Sequence, residues 1–448
     1  METPYPPSRT AWYVVAILTL IYVFSFIDRQ ILNLLVASIR RDLHISDTQI
    51  SLLMGFTFAV FYTFFGIPLG RMADSRSRRG IVAAGLVMWS LFTTGCGLAK
   101  NFLQMALMRI GVGIGEASLS PSAFSMIADS FPPERRATAM SVYSMAIYIG
   151  TGLASLLGGV VIKLASRQEM WSLPILGHIR PWQTIFFAVG LPGLLLVPVL
   201  FTIAEPVRRG LKHAASPGLP FREVLAYVKQ NRWTFLCHNF GISFVSLAVN
   251  GSASWMPTMF QRVHHWSAAD SGIRYGIAVV IFGTLGSVSG GRFADYLRER
   301  GYRDASMRVM WLAAMGNLPF SLCLALIPDP WVAYCFLFPS QFFTSAPYGV
   351  AAAAITEIMP NSMRGQAAAS YIFVNTLVGL GLGPTAVALV TDYVFHNDIR
   401  VNYSLALVTT CALTTAAILL RFGLPQFVKS LDRLREYSGQ PAGIGLEA

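Results

Sequence analysis

Charge is what this sequence has least of. Asp, Glu, Lys and Arg make up 12% of its 448 residues, while hydrophobic residues make up 54%. An ordinary soluble domain carries about 25% charged residues, so this composition excludes one and leaves a multi-pass membrane protein. Cysteine is also scarce. Cys96, Cys237, Cys323, Cys335 and Cys411 fall in apolar stretches, with no CxxC pair and an odd total, so they read as free, buried thiols. No disulfide framework or metal site is expected. The chain has no HExxH, no GxSxG and no P-loop, which removes the common hydrolase and nucleotide-driven machinery, and no cofactor is expected. The first ten residues lack a cleavable signal pattern, and the Trp12–Ala37 run is too long for a signal core. The net charge of +12 does not point to nucleic acid, because the basic residues lie between apolar runs.

What is present is hydropathy in blocks. Twelve candidate spans fall near 12–37, 50–69, 80–99, 102–128, 138–162, 183–203, 233–259, 273–291, 307–327, 332–356, 367–391 and 402–420. Their connections are short except 204–232, which holds Arg208, Arg209, Lys212, Arg222, Lys229 and Arg232. That segment divides the chain into a six-helix bundle over 1–203, a cytoplasmic linker over 204–232, a second bundle over 233–423 and a tail over 424–448. Within the linker, LPFREVLAYVKQ suits a helix lying on the membrane surface, and a solvated linker suits it equally. Lys and Arg concentrate in the N-tail, the even-numbered connections and the C-tail, which places both termini in the cytoplasm. Short loops fit a bacterial inner membrane, and a monomer is expected.

The halves repeat. GRMAD from Gly70 returns as GRFAD from Gly291, and PPERRATAMS from Pro132 is echoed by PNSMRGQAAAS from Pro360. Two repeats of six helices form the layout of rocker-type carriers with a site near the membrane midplane.

The stretch with most chemistry is MRIGVGIGEASLSP, Met108–Pro121, inside the fourth span. Each buried charge there costs about 3 kcal/mol or more, so Arg109 and Glu116 must face protein or water. Seven residues apart, they share a helix face, roughly 10 Å along the axis. Asp28 and Arg29 are the matching charges in span 1. Counting from the span ends puts Asp28 and Arg109 at similar depth, so they should meet or share a ligand, with Glu116 deeper. A carboxylate there can exchange a proton as its neighbours change, and a guanidinium offers a planar fork for phosphate or carboxylate. A purely structural ion-pair network is the competing reading. The glycines of GVGIG lie within a membrane helix and read as packing positions, as do Gly150, Gly152, Gly158 and Gly159 in span 5, although these also resemble an antiporter motif.

These segments carry a resemblance. GRMADSRSRRG and its repeat GRFAD resemble the loop 2–3 signature of the major facilitator superfamily. FSFIDRQILN, RIGVGIGEASLSPSAFSMIADSFPPERRATA and SMRGQAAA resemble the Spinster carriers within it. The resemblance implies an all-α membrane protein of twelve helices in two pseudo-symmetric halves, working by alternating access. It implies proton-coupled movement of an amphipathic anion such as a lysophospholipid or sphingosine phosphate, with Asp28 and Glu116 carrying protons and Arg29 and Arg109 holding the headgroup. It further implies a cytoplasmic latch of Arg71, Asp74, Arg292 and Asp295. A drug or organic-anion:proton carrier is the alternative within transport. A lipid-modifying membrane enzyme and a channel are the alternatives outside it.

Overall fold

A computed structural model describes residues 5–165, 171–173, 177–208, 221–360 and 363–437. Nearly all of it is helix, as apolar runs in lipid require, because every backbone N–H and C=O must then be paired within its own segment. Each of the twelve hydropathy segments falls on helix. Nine helical stretches among the described residues are long and apolar enough to cross a membrane. One feature outside the expected all-α pattern is a small antiparallel ribbon between spans 5 and 6, pairing Trp171–Leu173 with Gly177–Ile179.

The chain forms two compact units. The first comprises Met1–Arg209, Gly251–Ile281 and Pro384–Ser404, and the second Gly210–Asn250, Phe282–Gly383 and Leu405–Ala448. In the first unit, span 5 (Pro133–Ala165) lies against span 1 (Ser8–Leu34) on one side and the start of span 8 (Ala268–Ala278) on the other. Its glycines make both approaches possible. A side-chain carbon at Gly150 would sit 2.6 Å from Phe26 Cβ, and one at Gly159 would sit 2.6 Å from the Ala269 carbonyl. Packing thus accounts for the glycine-rich motif.

Local departures from α-helix shape the interior. Span 4 is a helix over Phe102–Glu116, breaks at Ala117–Ser118, and resumes over Leu119–Ser130. Pro121 contributes, since it has no N–H to offer the Ala117 carbonyl. Span 10 breaks in the corresponding place, between Pro330–Ser345 and Tyr348–Glu357, so the internal repeat extends to the kinks. Span 2 begins as a helical turn over Asp47–Ser51, widens into a π-helical turn over Leu52–Phe56 and continues as Thr57–Ser75. Such turns loosen the i→i−4 ladder and release backbone carbonyls.

The second unit has its own core, with Val245, Met310, Ala351, Ile355 and Leu413 among its buried members. The linker segment 221–230 is a helix, Phe221–Gln230, packed into that core through Val224 and Tyr227. All five cysteines are free. Cys96 and Cys237 are buried as read from the sequence, whereas Cys335 and Cys411 are exposed, a correction that follows from their lying on the outward stripe of apolar helices.

Candidate functional site

The four charges of spans 1 and 4 come together within the first unit, with pairings that differ from the depth argument. Arg29 Nη2 donates to Glu116 Oε2 at 2.5 Å, and Ser25 Oγ donates to the same oxygen at 2.6 Å. Ser25 and Arg29 are four residues apart and therefore share a face of span 1. Asp28, one residue earlier than Arg29, points about 100° away from it. Its carboxylate does not pair with Arg109. Instead Arg109 Nη1 reaches the Asp28 backbone carbonyl at 3.5 Å, and Arg109 Nε donates to the Leu53 carbonyl at 3.0 Å. Leu53 lies in the π-helical turn of span 2, which supplies that carbonyl.

Arg109, Asp28 and Glu116 are each 1% exposed, while the Arg29 side chain is 11% exposed. Arg109 is thus enclosed by protein on all sides, and Arg29 is the one guanidinium of the set with an open edge. Asp28 Oδ1, Glu116 Oε1 and Arg109 Nη2 are buried without a hydrogen-bond partner. Leaving buried charge incompletely satisfied is costly.

Aromatic rings complete the set. The Arg29 guanidinium carbon lies 4.4 Å from the Phe58 ring centre, 4.7 Å from Phe26 and 5.3 Å from Tyr62. Phe58 also stands 5.5 Å from Arg109, so a single ring separates the two cations. Span 2 comes this close because span 4 has glycine at position 113, where a side-chain carbon would meet the Phe58 carbonyl at 2.9 Å. The ring faces offset part of the cost of two desolvated cations. Phe58, Tyr62, Ser25 and Leu53 were not legible from sequence. The spacing of Ser25 with Arg29 was the available signal.

The loop motifs present a second picture. Arg71 and Arg292 are exposed, and the Asp74 side chain lies outside the described residues. Asp295 is exposed and pairs with Arg298 at 3.1 Å. The buried cation of loop 2–3 is Arg78, which is fully buried. It donates to Asp129 at the end of span 4, to Ser125 Oγ at 3.0 Å and to Glu205 Oε1 at 3.3 Å. Burial pushes the Glu205 carboxyl up, but bonds from the Ser77 hydroxyl and from the Arg78 backbone and side chain outweigh it and hold it below the usual range. In the second unit Arg298 meets Glu357, at the end of span 10, and Ser306 Oγ at 2.7 Å. Both repeats therefore tie a loop arginine to the acidic end of the broken helix.

The connections on the opposite face hold a third cluster, within the first unit. Asp47 is fully buried between Arg262, with contacts of 2.5 and 2.7 Å, and Arg40 at 3.0 Å. Arg40 also holds Asp398 at 2.5 Å, and Asp392 accepts from the Thr48 amide at 2.8 Å. Three carboxylates approach one another here. Two guanidiniums already lie among them, which makes the cluster an ion-pair network.

Comparison with known proteins completes the assignment. The sequence model of the Major Facilitator Superfamily matches residues 18–384. The chain belongs to this superfamily. Among its relatives, an "MFS-type efflux pump" of Mycolicibacterium smegmatis is 30% identical over 385 residues, covering 86% of this chain and 85% of the relative. Protein spinster homolog 1 of Xenopus tropicalis is 27% identical, covering 85% of this chain and 73% of the relative. In structure, a bacterial homologue of the human lysosomal transporter Spinster in an inward-facing, unoccupied conformation superposes with a TM-score of 0.77. It is 24% identical and covers 98% of this chain and all of that one. This superfamily member is Spinster-like, a multi-pass membrane protein and secondary transporter of small molecules, and not an enzyme.

Proposed function

We propose that this carrier moves an amphipathic anion, of the lysophospholipid or sphingosine-phosphate kind, by proton-coupled alternating access. The observation that carries the reading is the ion pair between Arg29 and Glu116. A buried carboxylate holds the only partly open guanidinium of the set, so an anionic headgroup and a proton compete through one contact. When the headgroup takes Arg29, Glu116 loses its counter-charge and can accept a proton. When the headgroup leaves, the pair reforms and the proton is released. Asp28 is the second proton carrier, with an unpaired oxygen beside the Arg109 region. Arg109, with Nη2 free behind the Phe58 ring, adds positive charge to the headgroup position. Spinster relatives and the aromatic lining favour a lipid-like cargo over a small hydrophilic one.

The latch reading of Arg71, Asp74, Arg292 and Asp295 belongs to the same proposal, with both termini and these loops cytoplasmic and the membrane a bacterial inner membrane. The halves that rock would be 1–203 and 233–423. The efflux-pump relative supports an organic-anion:proton carrier as the second reading, because the same machinery serves either cargo.

Purified protein in liposomes, loaded with a fluorescent lysophospholipid or with a fluorescent organic anion, tests both. Accumulation of the lysophospholipid that collapses when a proton ionophore is added is the expected result. Gradient-driven movement of the soluble anion alone would select the second reading, and movement unaffected by the ionophore would remove proton coupling.

A further inference from the structure

The second unit contains a cavity of about 590 Å³ that the transport site does not use. Its walls are the linker helix Phe221–Gln230, the start of span 7 (Arg232–Arg262) and the start of span 11 (Arg364–Asn375). The size falls in the range of small-molecule pockets. Val228, Phe235, Leu236, Phe240 and Val374 make it apolar, and Lys229 and Arg232 stand at one end. Both cations are exposed, and neither makes an ion pair among the described residues.

The groove is a fixed structure and not a gap beside a loose linker. The Tyr227 hydroxyl donates to the Ile358 carbonyl at 2.8 Å, and burial pushes its pKa up to about 12, so it stays a neutral donor. Arg433 donates to the Gln230 carbonyl at 2.7 Å and Asn231 returns to the Tyr227 carbonyl at 3.1 Å. Thr234 and Ser430 share a hydrogen bond of 2.7 Å one turn on. These contacts seat the linker helix on the end of span 10 and on the last helix.

The dimensions match one leaflet. From Arg232 to Phe240 span 7 climbs about 12 Å, and span 11 climbs the same from Gln366 to Val374. A single leaflet's hydrocarbon is about 15 Å deep. The charged end lies where the linker joins span 7, which the distribution of Lys and Arg assigns to the cytoplasmic surface.

We propose that this groove binds an anionic phospholipid of the cytoplasmic leaflet, its phosphate at Lys229 and Arg232 and one acyl chain along Phe235, Leu236, Phe240 and Val374. Charge complementarity selects the lipid class, since anionic headgroups concentrate at that surface and a zwitterionic one has no net charge for two cations that have no acidic partner among the described residues, Arg232 resting only against the Trp233 ring at 5.6 Å. The groove shares no residue with the Arg29–Glu116 pair and includes the linker helix in its wall, so it is a place for a resident lipid that steadies that helix.

Trp233 is adjacent to Arg232 and half exposed, which supplies a reporter. Full-length protein in detergent is titrated with phosphatidylglycerol or phosphatidylcholine carrying brominated acyl chains, and the quenching lost in Trp233→Phe is taken as the local signal. Phosphatidylglycerol should quench at roughly tenfold to thirtyfold lower concentration than phosphatidylcholine. The double variant Lys229→Gln/Arg232→Gln should erase the preference, Ser370→Phe should block both lipids by filling the groove with the charges intact, and Arg29→Ala should change nothing. A unique melting transition in each variant confirms folding. Equal quenching by the two lipids in the wild type, preference surviving in the double variant, or loss of preference in Arg29→Ala would each overturn the proposal. So would glycerol phosphate displacing the lipid at millimolar concentration, which would mark a site for a soluble phosphate.

Discussion

Arg29 and Glu116 touch at 2.5 Å, on two different helices, with the carboxylate fully enclosed and the guanidinium open along one edge. Ser25 adds a second donor to the same Glu116 oxygen, and three aromatic rings surround the cation. Arg109, fixed by backbone carbonyls, has no comparable freedom. The two arginines are therefore chemically similar and mechanically different, and the proposal can be tested by separating them.

Arg29→Ala should leave a folded protein that has lost about 10- to 100-fold in affinity for an anionic lysolipid, the worth of one or two charge-assisted hydrogen bonds. The same lipid without its anionic group should bind both proteins equally. Binding isotherms on the two ligands check this, and unchanged affinity for the anionic one would remove Arg29 from the headgroup site.

Arg109→Ala should lower the melting temperature whatever ligand is present, because it strips the Leu53 and Asp28 carbonyls of their donor in a buried place, at a cost of about 1–3 kcal/mol. Arg109→Lys should recover part of that stability but little cargo affinity, since an ammonium lacks the fork that spans two carbonyls or a phosphate. A fully stable Arg109→Ala with weakened anion binding would instead assign Arg109 to the headgroup alone.

Asp28→Asn and Glu116→Gln should each keep cargo binding and abolish accumulation driven by a pH gradient, because an amide preserves shape but cannot cycle a proton. Transport assays with and without an imposed gradient decide it. If both variants still concentrate cargo, the protons travel elsewhere.

The Asp47 cluster holds the 1–2 connection against the end of span 7 and the 11–12 connection. Arg262→Ala leaves Asp47 buried with one partner fewer, a change of about 3 kcal/mol or more in similar cases. Populations should shift toward a form in which these connections separate, each 1.4 kcal/mol changing the ratio tenfold. Spin labels on the 1–2 and 7–8 connections should report a longer distance in the variant, and an unchanged distribution would refute the role.

Glu205 gives a pH signature at the loop face. Its carboxyl is held below the ordinary range in the folded protein, so its contribution is complete above the unfolded value, near 4.3, and fades as pH falls through the lower folded value. The melting temperature of the wild type should exceed that of Glu205→Gln at pH 7, and the gap should close on acidification below about pH 4. A gap independent of pH would mean that the charge of Glu205 does not matter.

By itself the sequence determined what lies along each helix: the apolar segments, the repeat, and the presence of four rare charges on two spans. Length and composition suffice for that, because lipid leaves a spanning segment little choice but helix. The superfamily was legible in short motifs at Gly70 and Gly291, and the packing role of the glycines in spans 4 and 5 followed from their size. Partnership was decided only by tertiary structure. Depth along an axis placed Asp28 level with Arg109, but one residue turns a helix by about 100°, so the rotation of span 1 against span 4 chose Arg29 for Glu116 and left Arg109 to a carbonyl of span 2. That carbonyl exists because span 2 opens into a π-helical turn, which no periodicity announces. The Asp47 cluster and the Arg78 network join connections far apart in sequence, where charge reads as topology until the chain folds. That the linker segment docks as a helix on the second core was also decided by tertiary contact, with Tyr227 donating to the Ile358 carbonyl.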